Sequence, residues 1–157
     1  MNRVLERELA GFRLIDGLMV PVTDKEEVDE VEQAASSSPF SGAKAHIKQA
    51  IEHLSNRTNP DYRNSIKESI SAVESACQEI TGDSTATLGE ALKVLERSGQ
   101  LHEALRSAFS AFCNTVTRRI RHAMLEESNI TQADAKYFLV TCASFVNYLA
   151  EKRSKNP

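Results

Sequence analysis

At 157 residues, with 41 % apolar and 26 % charged side chains, the chain is long enough to bury one substantial core and is ordinary for a globular protein. A formal net charge of −3 and a pI near 5.8 exclude a global electrostatic footprint for nucleic acid, so any RNA contact has to come from a local basic patch. No apolar run approaches the roughly 18–20 residues of a membrane span. The opening Met-Asn-Arg-Val-Leu-Glu-Arg-Glu alternates charge without a signal-peptide core, so a cytoplasmic protein with no membrane partner is expected.

Residues 2–9 read as a short charged helix or arm with Val4, Leu5 and Leu9 on one side. Gly11 to Val22 reads as a β-hairpin. Two apolar runs flank Asp16-Gly17, a pair that favours a type I′ turn, and Pro21 confines its strand to an edge or an end. A lone two-stranded hairpin is marginal in water, so it is expected to pack on helices. Thr23-Asp-Lys-Glu26 has the capping-box pattern and opens an acidic helix to about Ala35, with Val28 and Val31 as a thin apolar seam. That acidic face reads as a soluble helix surface, or as a dock for a basic partner or for the basic cluster of a second copy. Ser36-Ser-Ser-Pro39 breaks the helix. Ser41-Gly42 restarts one to about Asn56, with Ile47, Ala50, Ile51 and Leu54 inward.

The stretch from Asn59 to Ile80 predicts the central helix. Ile66, Ile70, Val73, Cys77 and Ile80 recur at steps of four and three, which makes one stripe. Beside it runs a row of small residues, Ser65, Ser69, Ala72 and Ala76, so neighbours can pack on both. Pro60 marks the start and Gly82 the stop. Asn64, Lys67 and Glu68 lie beyond the stripe, as a groove lining or a solvated face. Thr87-Leu-Gly-Glu90 is a second capping box, opening a helix with Leu88, Ala91, Leu92 and Leu95 that ends near Ser98-Gly99. The next helix, 101 to about 113, is expected to bury Leu101, Leu105, Phe109 and Phe112. The last runs from Thr131 to about Lys152 over Ala135, Phe138, Leu139, Cys142, Phe145, Val146 and Leu149, with cations at its end to suit the helix dipole. The sum is an all-α helical bundle with a small N-terminal β-hairpin. One domain spans 1–157: arm and hairpin over 1–22, bundle over 23–152, tail over 153–157.

No cofactor or metal is indicated. Cys77, Cys113 and Cys142 are widely spaced on apolar helix faces and read as small buried hydrophobes. His46, His53, His102 and His122 make no ligand spacing, and there is no phosphate-binding glycine loop.

Thr117-Arg-Arg-Ile-Arg-His122 is the densest basic cluster in an otherwise acidic chain. Cleaving RNA without metal needs a base for the 2′-hydroxyl proton and a fixed cation for the charge building on phosphate. Histidine suits the first task by its near-neutral pKa, and arginine the second by its permanent charge and phosphate-matching fork. The alternatives are phosphate binding without cleavage and a structural role, for instance Arg121 pairing with Glu74.

Asn59-Pro-Asp-Tyr-Arg-Asn-Ser-Ile-Lys-Glu-Ser-Ile70 resembles the core helix of bacterial abortive-infection proteins of the AbiJ N-terminal-domain type, within the HEPN superfamily. The likeness continues through Ala86–Leu92, Ile120–Ala123 and Ala133–Val140 and, with the N-terminal segment, covers nearly the whole chain. It implies a HEPN-like all-helical fold. It also implies either a phage-defence or toxin RNase or, since such domains also occur without nuclease activity, a non-catalytic interaction module of a defence or toxin–antitoxin system. HEPN RNases use an Arg and a His separated by four to six residues, usually in two copies across a dimer. The implied partners are therefore RNA, a second copy of the chain, and a further protein. Carried onto this chain, the resemblance points to His122 as base, with Arg121 or Arg118 holding phosphate. Ile120-Arg121-His122 match the relatives' run of acid, Gly, Ile, Arg and His, whereas Arg118 and Arg119 stand in place of its acid and glycine. Only three residues separate Arg118 from His122.

Overall fold

In the computed structural model residues 1–122 and 130–155 are described, the side chains of 115–122 excepted. The chain order is α1 (Asn2–Arg7), β1 (Arg13–Ile15), β2 (Leu18–Val20), α2 (Lys25–Ser36), α3 (Ser41–Ser55), α4 (Tyr62–Thr81), α5 (Leu88–Arg97), α6 (Glu103–His122) and α7 (Gln132–Lys155). The architecture is the expected helical bundle with an N-terminal hairpin. Among the described residues no helix is long and apolar enough to cross a membrane.

Helix α4 is central, touching α3, α5, α6 and α7. Asp61, not Pro60, is its N-cap, the carboxylate accepting from the Asn64 N–H at 2.9 Å. Gly82 closes it in the left-handed region at φ 72°, where a side chain would be strained. All four small residues of the row, Ser65, Ser69, Ala72 and Ala76, are fully buried. The Ser65 hydroxyl donates to the Ala50 carbonyl of α3 at 2.8 Å, so the two helix backbones come close along this row. Ile66, Val73 and Cys77 of the stripe are buried as well, while Ile70 and Ile80 are half-buried against the same core. Near the start of α3 a β-carbon on Gly42 would come within 2.1 Å of the Ser75 Oγ, a second close approach to α4.

Helix α7 shares the centre. Its seven expected apolar residues are all buried, and so are Ala143 and Asn147. The buried Asn147 amide is satisfied by α2, donating to the Glu30 carbonyl at 3.0 Å and to its carboxylate at 2.7 Å. Lys136 of α7 also pairs with Glu27 at 2.6 Å. Two residues of the acidic helix are thus spent on holding α2 against α7, and they leave the face that was a candidate dock. Helix α2 is capped by Asp24, which accepts from the Glu27 N–H at 3.1 Å, so the capping pattern begins one residue later than Thr23.

The hairpin forms as expected, Arg13 opposite Val20 and Ile15 opposite Leu18. Asp16 at φ 47° and Gly17 at φ 82° supply the two left-handed residues that a type I′ turn needs. Ile15, Val20 and Val22 are fully buried on the bundle. On the open edge of β1 the Asn2 side chain imitates a strand, donating to the Leu14 carbonyl at 2.9 Å and accepting from its N–H at 2.7 Å. That pair anchors α1, whose Val4 is half-exposed and which buries no residue.

Two departures concern α6. It continues to His122 rather than stopping near 113, because from Glu103 to His122 no glycine or proline interrupts it. Leu105, expected inward, is 37 % exposed: the first two turns project beyond the cover of their neighbours, and the buried face starts at Phe109 and Cys113. Helix α7 likewise runs to Lys155, into the segment read as a tail.

Helix α5 carries the second capping box, with both arms formed between Thr87 and Glu90. The Thr87 hydroxyl and N–H, at 2.6 and 2.9 Å, hold the Glu90 carboxyl below its ordinary range. A depressed carboxyl pKa stabilises the fold above the unfolded value, and that contribution is lost as pH falls through the folded one. Thr87→Ala is expected to cost about 1 kcal/mol near neutral pH and to show a smaller loss of melting temperature between pH 7 and pH 4 than wild type. Parallel acid-induced losses in the two proteins would contradict it.

Candidate functional site

The basic cluster sits on the last turns of α6. Phe109 stacks on Phe145 with ring centroids 4.0 Å apart, and Phe112 on Phe138 at 4.2 Å. As α6 advances its partner number on α7 falls, so the two helices are antiparallel. The end of α6 and the start of α7 therefore lie at the same end of the bundle. Because α6 is unbroken, the backbone positions of Arg118 and His122 stand four apart on one helix, about one turn, while Arg121 is one residue before His122 and so a quarter-turn or so away. The side chains of Arg118, Arg121 and His122 lie outside the described residues.

Glu74, the structural partner considered for Arg121, has another task. Its carboxylate accepts from the Leu88 N–H at 2.8 Å and so fastens the first turn of α5 to α4. Burial first and the Glu74 charge second raise the pKa of Cys113, which places Glu74 near that level of α6. The Arg121 backbone is eight residues farther along, about 12 Å of helix rise.

At the end of the bundle where α7 begins, a cleft of about 190 Å³ opens between hairpin and helices. Phe12 and Met19 come from the hairpin region, Asn56 and Arg57 from the α3–α4 loop, Tyr62 from the first turn of α4 and Gln132 from the first turn of α7. Phe12 is 36 % exposed, and the Arg57 guanidinium carbon lies 5.4 Å from its ring centroid. The loop is stiffened from within: the Asn56 side-chain oxygen accepts from the N–H groups of Thr58 and Asn59 at 3.2 and 3.0 Å. No sequence pattern pointed to this cleft, since its walls come from three separate stretches of the chain, 12–21, 54–62 and Gln132.

One histidine–carboxylate contact and one longer-range histidine–carboxylate attraction line the α3–α4 seam. His46 Nδ1 is 2.7 Å from Glu68, whose side chain is only 12 % exposed. Of the three residues set beyond the stripe, Glu68 is thus committed to α3, Asn64 donates to Asp61 at 2.7 Å, and Lys67 is exposed. One helix end away, partial burial works to raise the Asp61 carboxyl. The Asn64 amides, with help from His53 and Arg63, outweigh it and hold the group below its ordinary range. The only sequence signal for this seam was the seven-residue interval from His46 to His53, two helical turns.

The cysteines are structural thiols in the described state. Burial pushes Cys77 and Cys113 up to about 12 and Cys142 well above the ordinary thiol value, which removes the thiolate that nucleophilic or metal chemistry needs. Among the described residues no group of His, Cys, Asp and Glu is arranged to hold a metal ion. Comparison with known proteins finds no family model, no curated protein and no solved structure that matches the chain.

Proposed function

We propose that the chain is a HEPN-like domain of the abortive-infection type that cleaves RNA without metal, acting as two copies. The observation that carries this reading is the continuity of α6 through the basic cluster, which sets Arg118 and His122 one helical turn apart. His122 takes the proton from a ribose 2′-hydroxyl, and the freed oxygen attacks the adjacent phosphorus. The bond to the 5′-oxygen breaks, that oxygen gains a proton from solvent, and a 2′,3′-cyclic phosphate remains. Arg118 holds the charge that builds on the phosphate, a task its fixed cation performs without a metal. Arg121, a quarter-turn away, takes the neighbouring phosphate.

A second reading is favoured by one specific observation. The three-residue interval between Arg118 and His122 is shorter than the four to six of the RNases that the chain resembles. On that reading the domain is a non-catalytic interaction or dimerisation module of a defence or toxin–antitoxin system. RNA cleavage by the purified protein in excess EDTA separates the two. The proposal expects cleavage that resists chelation and is lost in folded His122→Ala and Arg118→Ala variants. A folded wild-type protein that leaves a broad RNA panel intact selects the interaction module.

A further inference from the structure

The cleft at the α7 end has a chemistry that the proposed cleavage step does not use. Its volume of about 190 Å³ is smaller than the roughly 300–1,000 Å³ of drug-sized ligand sites, so it takes one ring system and not a whole cofactor. Two aromatic side chains, Phe12 and Tyr62, contribute to its wall, and Arg57 brings a cation to the Phe12 ring. Stacking on aromatic rings and on arginine planes is how proteins hold bases that have left a duplex. Gln132 adds an amide group and Asn56 the N–H donors of its amide, its oxygen being taken by Thr58 and Asn59, and those loop bonds keep Asn56 in place before any ligand arrives. Electrostatics agree with an anionic ligand, since among the described residues the one formally charged side chain of the wall is a cation.

We infer that this cleft is a subsite for one unpaired nucleobase of a single-stranded RNA, stacked on Phe12 and Arg57 with the adjoining phosphate on the Arg57 guanidinium. Its place in the fold gives the subsite a purpose. The antiparallel pairing of α6 with α7 brings the last turns of α6 to the end of the bundle where Gln132 lines the cleft. A strand anchored there by one base runs towards Arg118 and His122. Stacking accepts every base, so the subsite selects for unpaired RNA and not for a sequence. The inference rests on the RNA reading above.

The test is fluorescence anisotropy of the full chain with a labelled octa-adenylate carrying 2′-O-methyl sugars, which binds but cannot be cleaved through its 2′-oxygen. Phe12→Ala should weaken binding roughly 5- to 150-fold, the range for losing one base–aromatic stack, while Phe12→Tyr should bind as wild type does. Arg57→Ala should lower the slope of log affinity against log salt by about 0.7, one phosphate contact on a single strand. Wild-type affinity in both Phe12→Ala and Arg57→Ala, alongside weakened binding in Arg118→Ala, would overturn the subsite and leave the RNA reading standing. Absence of binding by the wild-type protein would overturn both.

Discussion

Replacing Ser65 by leucine should cost about 3 kcal/mol of folding stability, from overpacking and a lost hydrogen bond together, and should lower the melting temperature by roughly 6–12 °C. Ser65 is fully buried, and its hydroxyl bonds the Ala50 carbonyl at 2.8 Å. That contact holds α3 close to α4, and three extra carbons would press on the α3 backbone at Ala50. The size of the residue, not its hydroxyl, carries most of the effect. Ser65→Ala should therefore cost only about 1 kcal/mol, the net worth of an ordinary hydrogen bond. Thermal melts of the two variants decide the matter: equal losses would mean that the small-residue row does not set the helix spacing.

His122→Ala should reduce chelation-resistant RNA cleavage by about 10²–10⁴-fold, the usual share of a general base. Arg118→Ala should cost about 10²–10³-fold, the loss of one preorganised donor to developing charge. Arg121→Ala should cost less than Arg118→Ala, because of these two arginines Arg118 is the one a helical turn from His122 on α6. The comparison is made at equal helicity by circular dichroism, so that a folding defect is not scored as chemistry. If Arg121→Ala is the more damaging variant in folded protein, the phosphate cation is assigned to the wrong arginine.

Features that local chemistry specifies were legible in the sequence. Asp16-Gly17 specifies its turn because the backbone there has to be left-handed twice. Gly82 stops α4 for the same reason, and Thr87 with Glu90 writes both ends of a capping box into four residues. The stripe and row of α4 were legible because burial on a helix imposes its own period. Other features depend on distant partners or on the absence of a signal. Phe40 is fully buried, yet it stands alone as the N-cap of α3 with no periodic neighbour to reveal it. Asn147 is a buried polar residue on an otherwise apolar helix face, and its partner Glu30 lies 117 residues away. The length of α6 was legible but overlooked: Phe109, Cys113, Val116 and Ile120 continue at steps of four, three and four, and nothing in the following residues breaks a helix. That extension sets the Arg118–His122 spacing on one continuous helix, and the cleft at the same end of the bundle is assembled from segments that no motif connects.

The most direct test of the account is the chemistry of the cut ends. With a labelled RNA and the wild-type protein in EDTA, the account predicts 5′-hydroxyl and 2′,3′-cyclic phosphate termini, and no cut at a position whose ribose is replaced by deoxyribose. Products with 5′-phosphate and 3′-hydroxyl ends, or cleavage at the deoxy position, would contradict it, because neither outcome passes through the 2′-oxygen from which His122 is held to take the proton.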